Sequence, residues 1–308
     1  MCIKERNASD STCKKLLRDK GCFADLCNYA FFQGRQVIQP EELVSRENDL
    51  STLIGKVDKP TEIKRYRDVV RKASIHGDYV IIGVEHQSTF DEKMIFRILN
   101  YDATIYINQV ESKQEVYPVG SFVFYTGDKE WKSPETLKET LKNIPPEMEP
   151  YINDWRLPVV ELKTIAARKL INQRLKEIVE ISQSMFAGNY DGLRNNRKIE
   201  IENFMMAAAF TRTKIKREDL PEGDEINMCE AMDRLFQRFE NQGMEKGKII
   251  GFEKGKSDTL KEQLKVKLGT LSRPLEKQLT NTSLEKLNEL TLNIFNVTNE
   301  EDVLRIIN

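Results

Sequence analysis

The sequence is poor in the residues that most often form metal or nucleophilic sites. Only two histidines occur among its 308 residues, and its five cysteines are Cys2, Cys13, Cys22, Cys27 and Cys229. Cys22 and Cys27 have no second pair with which to complete a zinc site, so free or buried thiols are favoured over metal binding. The chain also lacks an excess of either charge, because 48 Lys and Arg residues oppose 49 Asp and Glu residues. This balance excludes nucleic-acid binding over the whole surface but not at a local basic site.

Long hydrophobic runs are missing as well. No stretch approaches the ~18 apolar residues of a membrane-spanning helix, and the charged start of the chain is unlike a secretory signal. We therefore expect a cytoplasmic protein with reduced thiols and no membrane partner. With 39% hydrophobic residues the chain can bury a sizeable core, and its length is typical of about two domains.

The middle of the chain has the pattern of a mixed sheet. A loosely alternating run at 66–73 and a β-branched apolar run at 79–84 flank the turn Ile75-His76-Gly77-Asp78, which predicts a hairpin. A helical pattern follows at 93–110, and another buried strand is expected at 119–127. The order strand, strand, helix, strand predicts an α/β fold with a mixed central sheet and a crossover helix.

Helical patterns dominate the two ends of the chain. Apolar residues recur at helical spacing over 11–32, and Gln39-Pro40-Glu41-Glu42 has the pattern of a helix start. From about residue 163 onward no strand is expected. Helices are predicted at 162–186, 199–210 and 227–243, and short leucine-rich helices after residue 258.

Four glycines recur at intervals of four residues: Gly243, Gly247, Gly251 and Gly255. Each glycine destabilises a helix by up to about 1 kcal/mol relative to alanine. One interpretation is a helix whose glycine stripe lets a second helix approach closely. The other is a flexible linker between two helical blocks, and the sequence favours neither.

Two carboxylates are expected to meet in the predicted hairpin. Glu85 and Gln87 follow the apolar run directly, and their spacing places both on one face of the strand, with His86 on the other. Hairpin pairing can set Asp68 of the preceding strand beside Glu85. Because two buried carboxylates repel, a hard cation such as Mg²⁺ between them resolves the conflict. Such a cation activates water for attack on phosphorus, and the Gln87 amide can hold that water.

A cationic cluster surrounds Asp68, in the otherwise balanced chain, and consists of Lys64, Arg65, Arg67, Arg71 and Lys72. Such a cluster suits the phosphate backbone of DNA, which is bound largely through charge. It is also typical of an edge strand whose charges prevent pairing with other chains. Composition alone favours the edge strand.

The segments 65–70 and 80–88, the latter ending in Glu85-His86-Gln87-Ser88, resemble the Rpn family of recombination-promoting nucleases and YhgA-like putative transposases. That family belongs to the PD-(D/E)XK nuclease superfamily. The resemblance extends through 94–103 and 122–131 and, upstream, through 23–28 and 36–43. The glycine repeat and the leucine-rich end are similar to the C-terminal part of many members, so the resemblance covers most of the chain.

The resemblance implies a PD-(D/E)XK restriction-endonuclease-like core, a mixed sheet flanked by helices, followed by an all-helical C-terminal region. It implies that Asp68 and Glu85 bind the metal, and that Gln87 stands where the wider superfamily has lysine. Members often add an acid from the first helix, for which Asp10 is the candidate. We interpret His86 as structural rather than as a proton shuttle, and Trp131, Phe122 and Phe124 as core residues rather than as stacking platforms for bases.

The predicted function is that of a Mg²⁺-dependent DNA endonuclease that promotes recombination, with the cationic cluster holding the DNA. Residues 1–160 are predicted to form the nuclease-like domain, and 161–240 a helical region packed on it. Residues 241–308 are predicted to form a glycine-repeat helix and a leucine-rich region that support a homodimer. The alternative is a catalytically weak protein of the same fold that acts through protein–protein contacts of its helical C-terminal half.

Overall fold

A computed structural model of the chain describes residues 3–44, 69–113 and 115–307. The chain divides into two compact units, Met1–Met232 and Asp233–Asn308. No helix within the described ranges combines the length and the apolar character needed to cross a bilayer. The three-part division at residues 160 and 240 stays a prediction.

The first unit begins with two helices, α1 (Ile3–Arg18) and α2 (Lys20–Phe32). Asp19 separates them, and its side chain accepts a hydrogen bond of 2.8 Å from the backbone amide of Cys22, which caps the start of α2. Leu16 and Phe23 are fully buried, as the helical spacing of apolar residues predicted. The predicted helix at residue 40 is only the single 3₁₀ turn Pro40–Glu42, because Leu43 has extended backbone and opens a strand.

A five-stranded mixed sheet forms the centre of the first unit. Its strands are β1 (Leu43–Val44), β2 (Val69–Ile75), β3 (Asp78–Gln87), β4 (Val119–Tyr125) and β5 (Val159–Glu161). They lie in the order β1-β2-β3-β4-β5, antiparallel from β1 to β3 and parallel from β3 to β5. The helix α3 (Met94–Glu111) is the crossover between β3 and β4. The predicted mixed α/β architecture is therefore confirmed.

The hairpin between β2 and β3 has a two-residue turn. Ile75 pairs with Asp78 across the ladder, and the turn residues His76 and Gly77 both have positive φ, at 54° and 93°. Two positive φ values define the type I′ turn, whose twist matches that of the flanking strands. Glycine is needed here for its backbone alone, as the sequence suggested, since a Cβ on Gly77 would meet no atom within 4 Å.

Helices cover both faces of the sheet. On one face Ile81 packs with Ile105 of α3. On the opposite face the rings of Phe122 and Phe31 of α2 meet edge to face at 5.5 Å. Because side chains alternate along a strand, Glu85 lies on the same face as Ile81, under α3.

The remainder of the first unit contains α4 (Leu137–Thr140), α5 (Gln173–Phe186), β6 (Lys198–Glu200), α6 (Ile201–Thr211) and β7 (Glu225–Asn227). The predicted helix at 162–186 is wrong in its first half, where short 3₁₀ turns precede Asn172, the residue that caps α5. The expectation of no strand beyond residue 163 is also wrong, because β6 and β7 pair antiparallel. Only Ile199 and Ile226 at their centres are buried, so neither strand is long enough to show an alternating pattern.

The long helix α7 (Met228–Leu268) leads into the second unit, which continues with α8 (Arg273–Thr280), α9 (Leu284–Asn293) and α10 (Glu300–Ile307). Leucines of α7, α8 and α9 form its core, as the leucine-rich pattern predicted. All four repeated glycines lie inside α7, so the predicted helix is confirmed and the linker interpretation is wrong, whereas the close approach of a second helix is not observed in the described part of the chain. A Cβ on any of the four would meet nothing within 4 Å, so no second helix packs against them among the described residues.

Candidate active site

Glu85 and Gln87 lie at the end of β3, on the face that α3 covers. Both residues are buried, and the Nε2 atom of Gln87 donates to Glu85 Oε1 at 3.5 Å. A carboxylate that is only 4% exposed is unfavourable unless a cation or hydrogen-bond donors compensate its charge. The strand therefore presents a buried acid and an amide side by side, as the spacing of two predicted.

Asp68, Lys64, Arg65 and Arg67 lie outside the described residues. The hairpin register pairs Val69 with Val84, and these are the sequence neighbours of Asp68 and Glu85. The approach of Asp68 to Glu85 stays a prediction, as does the binding of DNA by the three cations.

Arg97 of α3 compensates the charge of Glu85. Its Nη2 atom donates to Glu85 Oε1 at 2.8 Å and its Nη1 atom to Asp91 Oδ2 at 3.0 Å. Burial lowers the pKa of Arg97, but hydrogen bonds with Tyr101 and Asp91 and the charge of Glu85 outweigh that effect and raise the pKa above its usual value. The guanidinium is therefore a permanent positive charge at the carboxylate.

Sequence reasoning missed Arg97. The available signal was its position three residues after Met94 and four before Tyr101, both buried. An arginine at that spacing lies at the margin of the buried face of a helix. The spacing could not identify Glu85 as the partner of Arg97, because the partner depends on which turn of α3 crosses the end of β3.

Arg71 contacts the end of α1. It is buried, and its Nη2 atom donates to the carbonyl oxygens of Leu17 at 2.9 Å and Arg18 at 3.0 Å, the last residues of α1. Its guanidinium also lies 5.2 Å from the ring centre of Phe23. These contacts show that Arg71 helps to pack α1 on the sheet, and its contact with DNA stays a prediction.

Lys72 also packs within the protein. Its Nζ atom lies 4.0 Å from the ring centre of Tyr79 and 3.7 Å from that of Tyr117, a double cation–π contact. The edge-strand interpretation does not hold at this position, because β1 pairs with Lys72 through Val44. The described part of the cationic cluster thus stabilises the fold.

His86 connects three elements on the face opposite Glu85. Its Nδ1 atom lies 2.9 Å from Asp10 Oδ1 of α1, and its Nε2 atom 2.8 Å from the Thr126 hydroxyl that follows β4 and 3.4 Å from the Ser9 hydroxyl. The imidazole is fully buried. This position agrees with the structural role that strand alternation indicated. Asp10 contacts His86, and its role as a metal ligand stays a prediction.

The aromatic residues and the thiols are parts of the core. Phe122 and Phe124 are fully buried, and the Trp131 ring packs on that of Tyr125 at 5.0 Å, as predicted. Cys13, Cys22 and Cys27 are buried free thiols. Burial raises the pKa of the Cys22 and Cys27 thiols, so both stay protonated and unreactive at neutral pH.

The donor set at Glu85 fits a hard cation. The described ranges contain no cluster of three or more His, Cys, Asp or Glu side chains that could hold a metal. Mg²⁺ needs less, since it keeps several waters and uses one or two carboxylates together with phosphate oxygens. A buried carboxylate beside an amide offers oxygen ligands of this kind.

Comparison with known proteins gives one match. Residues 61–206 match the family described as "Putative transposase, YhgA-like". No curated protein and no solved structure matches significantly. The matched segment includes β2, β3 and α3, and with them Glu85, Gln87 and Arg97. Over residues 61–206 the chain is thus similar to the YhgA-like putative transposase family, in agreement with the sequence resemblance.

Proposed function

We propose that the protein is a Mg²⁺-dependent DNA endonuclease, related to transposases, that hydrolyses phosphodiester bonds and thereby promotes recombination. The observation that carries the proposal is the buried Glu85 carboxylate beside Gln87 at the end of β3, within the segment that matches the transposase family. The proposal includes a PD-(D/E)XK-type core, which the mixed five-stranded sheet supports, and a cytoplasmic location.

Each residue of the site has a distinct role in the proposed reaction. Asp68 and Glu85 would hold the cation, and a cation bound there would supply positive charge to the phosphate oxygens and to the attacking water. The Gln87 amide accepts a hydrogen bond from the attacking water and fixes its direction. The water oxygen bonds to phosphorus and releases one proton to the solvent, the bond to the leaving sugar oxygen breaks, and that oxygen takes up a proton from the solvent.

A plasmid assay tests this function directly. Supercoiled DNA is expected to be nicked in Mg²⁺ and to stay intact in Ca²⁺ or EDTA, because Ca²⁺ binds oxygen ligands with a looser geometry than Mg²⁺. The rate of conversion to open circles is the measurement. Equal rates in Mg²⁺ and EDTA would show that the cutting does not use a cation.

Self-association is a second candidate function, favoured by one surface of the second unit. Ile249 and Phe252 lie three residues apart on one face of α7 and are 50% and 72% exposed. Phe252 borders an open groove of about 910 Å³ between α7 and α9. Apolar side chains this exposed are typical of an interaction surface, and we propose that two copies of the chain pair through it.

The double variant Ile249→Glu/Phe252→Glu is expected to convert a dimer into a monomer, because two buried charges without partners oppose association. Light scattering coupled to gel filtration gives the mass. Ile250→Glu, at a 63% exposed position of the same helix but on another face, is the matched control and should stay dimeric. A monomeric wild type, or a dimer that persists in the double variant, would exclude this surface as the interface.

A further inference from the structure

We propose that Arg97 is a catalytic residue: it neutralises Glu85 when no divalent cation is bound, and binds a phosphate oxygen of the DNA once a cation takes Glu85. The inference rests on the proposed nuclease function and assigns the substrate-binding charge of that same site. It starts from the contact of 2.8 Å between Arg97 Nη2 and Glu85 Oε1.

Arg97 is held at the site by Asp91 and Tyr101 as well as by Glu85. Nη1 is bound to Asp91 Oδ2 at 3.0 Å, and the other carboxylate oxygen of Asp91 accepts from the Lys93 backbone amide at 3.0 Å. Asp91 is thus fixed to the start of α3 and anchors the guanidinium. Nη2 can therefore exchange Glu85 for another anion without the arginine leaving the site.

The side chain of Arg97 is more exposed to solvent than that of Glu85. The Arg97 side chain is 28% exposed, whereas that of Glu85 is 4% exposed. An incoming phosphate therefore reaches the guanidinium more readily than the carboxylate. The planar fork of arginine also matches the geometry of two phosphate oxygens.

The chemistry requires a positive charge that Gln87 does not carry. Charge on the phosphate oxygens grows as water attacks, and a preorganised donor beside those oxygens stabilises the transition state. Gln87 offers only a neutral amide on this face of β3. Arg97 of α3 supplies a permanent positive charge at Glu85, the residue next to Gln87 on this face of β3.

Arg97 and a divalent cation compete for the same carboxylate. Both bind Glu85 through electrostatic attraction, so each weakens the binding of the other. Removal of Arg97 should consequently strengthen cation binding while it weakens catalysis. A residue with a purely structural role would not separate these two quantities.

The test compares Arg97→Gln with wild type in two measurements. Plasmid nicking in Mg²⁺ is expected to fall by about 100- to 1000-fold, as for the loss of one transition-state donor. Binding of Mn²⁺ without DNA, followed by electron paramagnetic resonance, is expected to tighten by about fivefold or more. Arg156→Gln is the control, because Arg156 forms an exposed ion pair of 3.4 Å with Glu135. It should change neither quantity.

Two further variants keep the inference testable if Arg97→Gln is poorly folded. Arg97→Lys keeps the charge but not the fork, and should retain nicking between that of wild type and Arg97→Gln. Asp91→Asn weakens the anchor of Arg97 and should reduce nicking with little change in Mn²⁺ affinity. Unchanged nicking in folded Arg97→Gln, or weaker Mn²⁺ binding, overturns the inference.

The variant Glu85→Gln separates the role of Arg97 from the nuclease function itself. If Glu85→Gln abolishes nicking while Arg97→Gln nicks at the wild-type rate, the nuclease site stands and Arg97 has no catalytic part. If Glu85→Gln nicks at the wild-type rate, the nuclease assignment itself is wrong, and the role of Arg97 falls with it.

Discussion

Replacement of Asp68 or Glu85 by alanine is expected to abolish plasmid nicking in Mg²⁺ without unfolding the protein. A bound cation contributes several kcal/mol of charge stabilisation in phosphoryl chemistry. Because each ~1.4 kcal/mol changes a rate tenfold, loss of the cation should reduce the rate by about 1000-fold or more. The rate of appearance of open-circular DNA measures the loss, and circular dichroism establishes that each variant is folded.

Glu85→Gln sharpens this comparison, since it removes the charge and keeps the volume of a buried side chain. Glu135→Gln serves as its control, because the Glu135 side chain is 57% exposed and forms an ion pair with the exposed Arg156 at 3.4 Å. The control should nick at the wild-type rate. Wild-type nicking by either the Asp68 or the Glu85 variant would contradict the assignment of these carboxylates.

Replacement of His86 by alanine is expected to lower the free energy of unfolding by about 3 to 5 kcal/mol. The change leaves a cavity beside Phe124 and Phe210, whose rings lie 6.2 and 6.1 Å from the imidazole. It also leaves the buried Thr126 hydroxyl without the 2.8 Å contact to Nε2, and an unsatisfied buried polar group costs about 1 to 3 kcal/mol. Urea denaturation followed by circular dichroism measures the loss.

The only other histidine in the sequence provides a matched control for that experiment. His76 lies exposed in the β2–β3 turn with a φ of 54°. Asparagine tolerates that conformation, so His76→Asn should leave the midpoint in urea nearly unchanged. A His86→Ala protein that kept wild-type stability but lost nicking would support the proton-shuttle interpretation instead.

Local rules were sufficient to predict the strand that carries the site. The turn residues, the apolar run and the alternation of side chains placed Glu85 and Gln87 on one face and His86 on the other, and the structure has this arrangement. Each of these features depends on residues within a few positions of one another. For the same reason the helical pattern of α3 was predicted to within one residue at each end.

The partners of charged residues could not be predicted in the same way. Arg71 binds carbonyl oxygens at the end of α1 that are 53 and 54 residues away in the sequence. Nothing in a run of basic residues distinguishes a cation that faces DNA from one that caps a helix. Arg97 was missed for a related reason, since its contact with Glu85 requires the crossing of α3 over β3 to be known.

At the repeated glycines, tertiary packing outweighs the low helix propensity of the sequence. Four glycines in one helix weaken it by up to about 4 kcal/mol in total if each weakens it by about 1 kcal/mol. The helix nevertheless continues through all of them as part of a 41-residue segment. Its C-terminal leucines, Leu260 and Leu264, are fully buried in the core of the second unit, and tertiary packing of this kind outweighs local preference.

The two-residue turn at His76 and Gly77 makes the site sensitive to insertions and deletions as well as to substitutions. Because the side-chain period of a strand is two, a single residue added to or lost from β3 after Asp78 would exchange its two faces. The imidazole would then point at α3, and the carboxylate would be buried among Phe124 and Phe210. Length variation within this hairpin should therefore occur only in even steps.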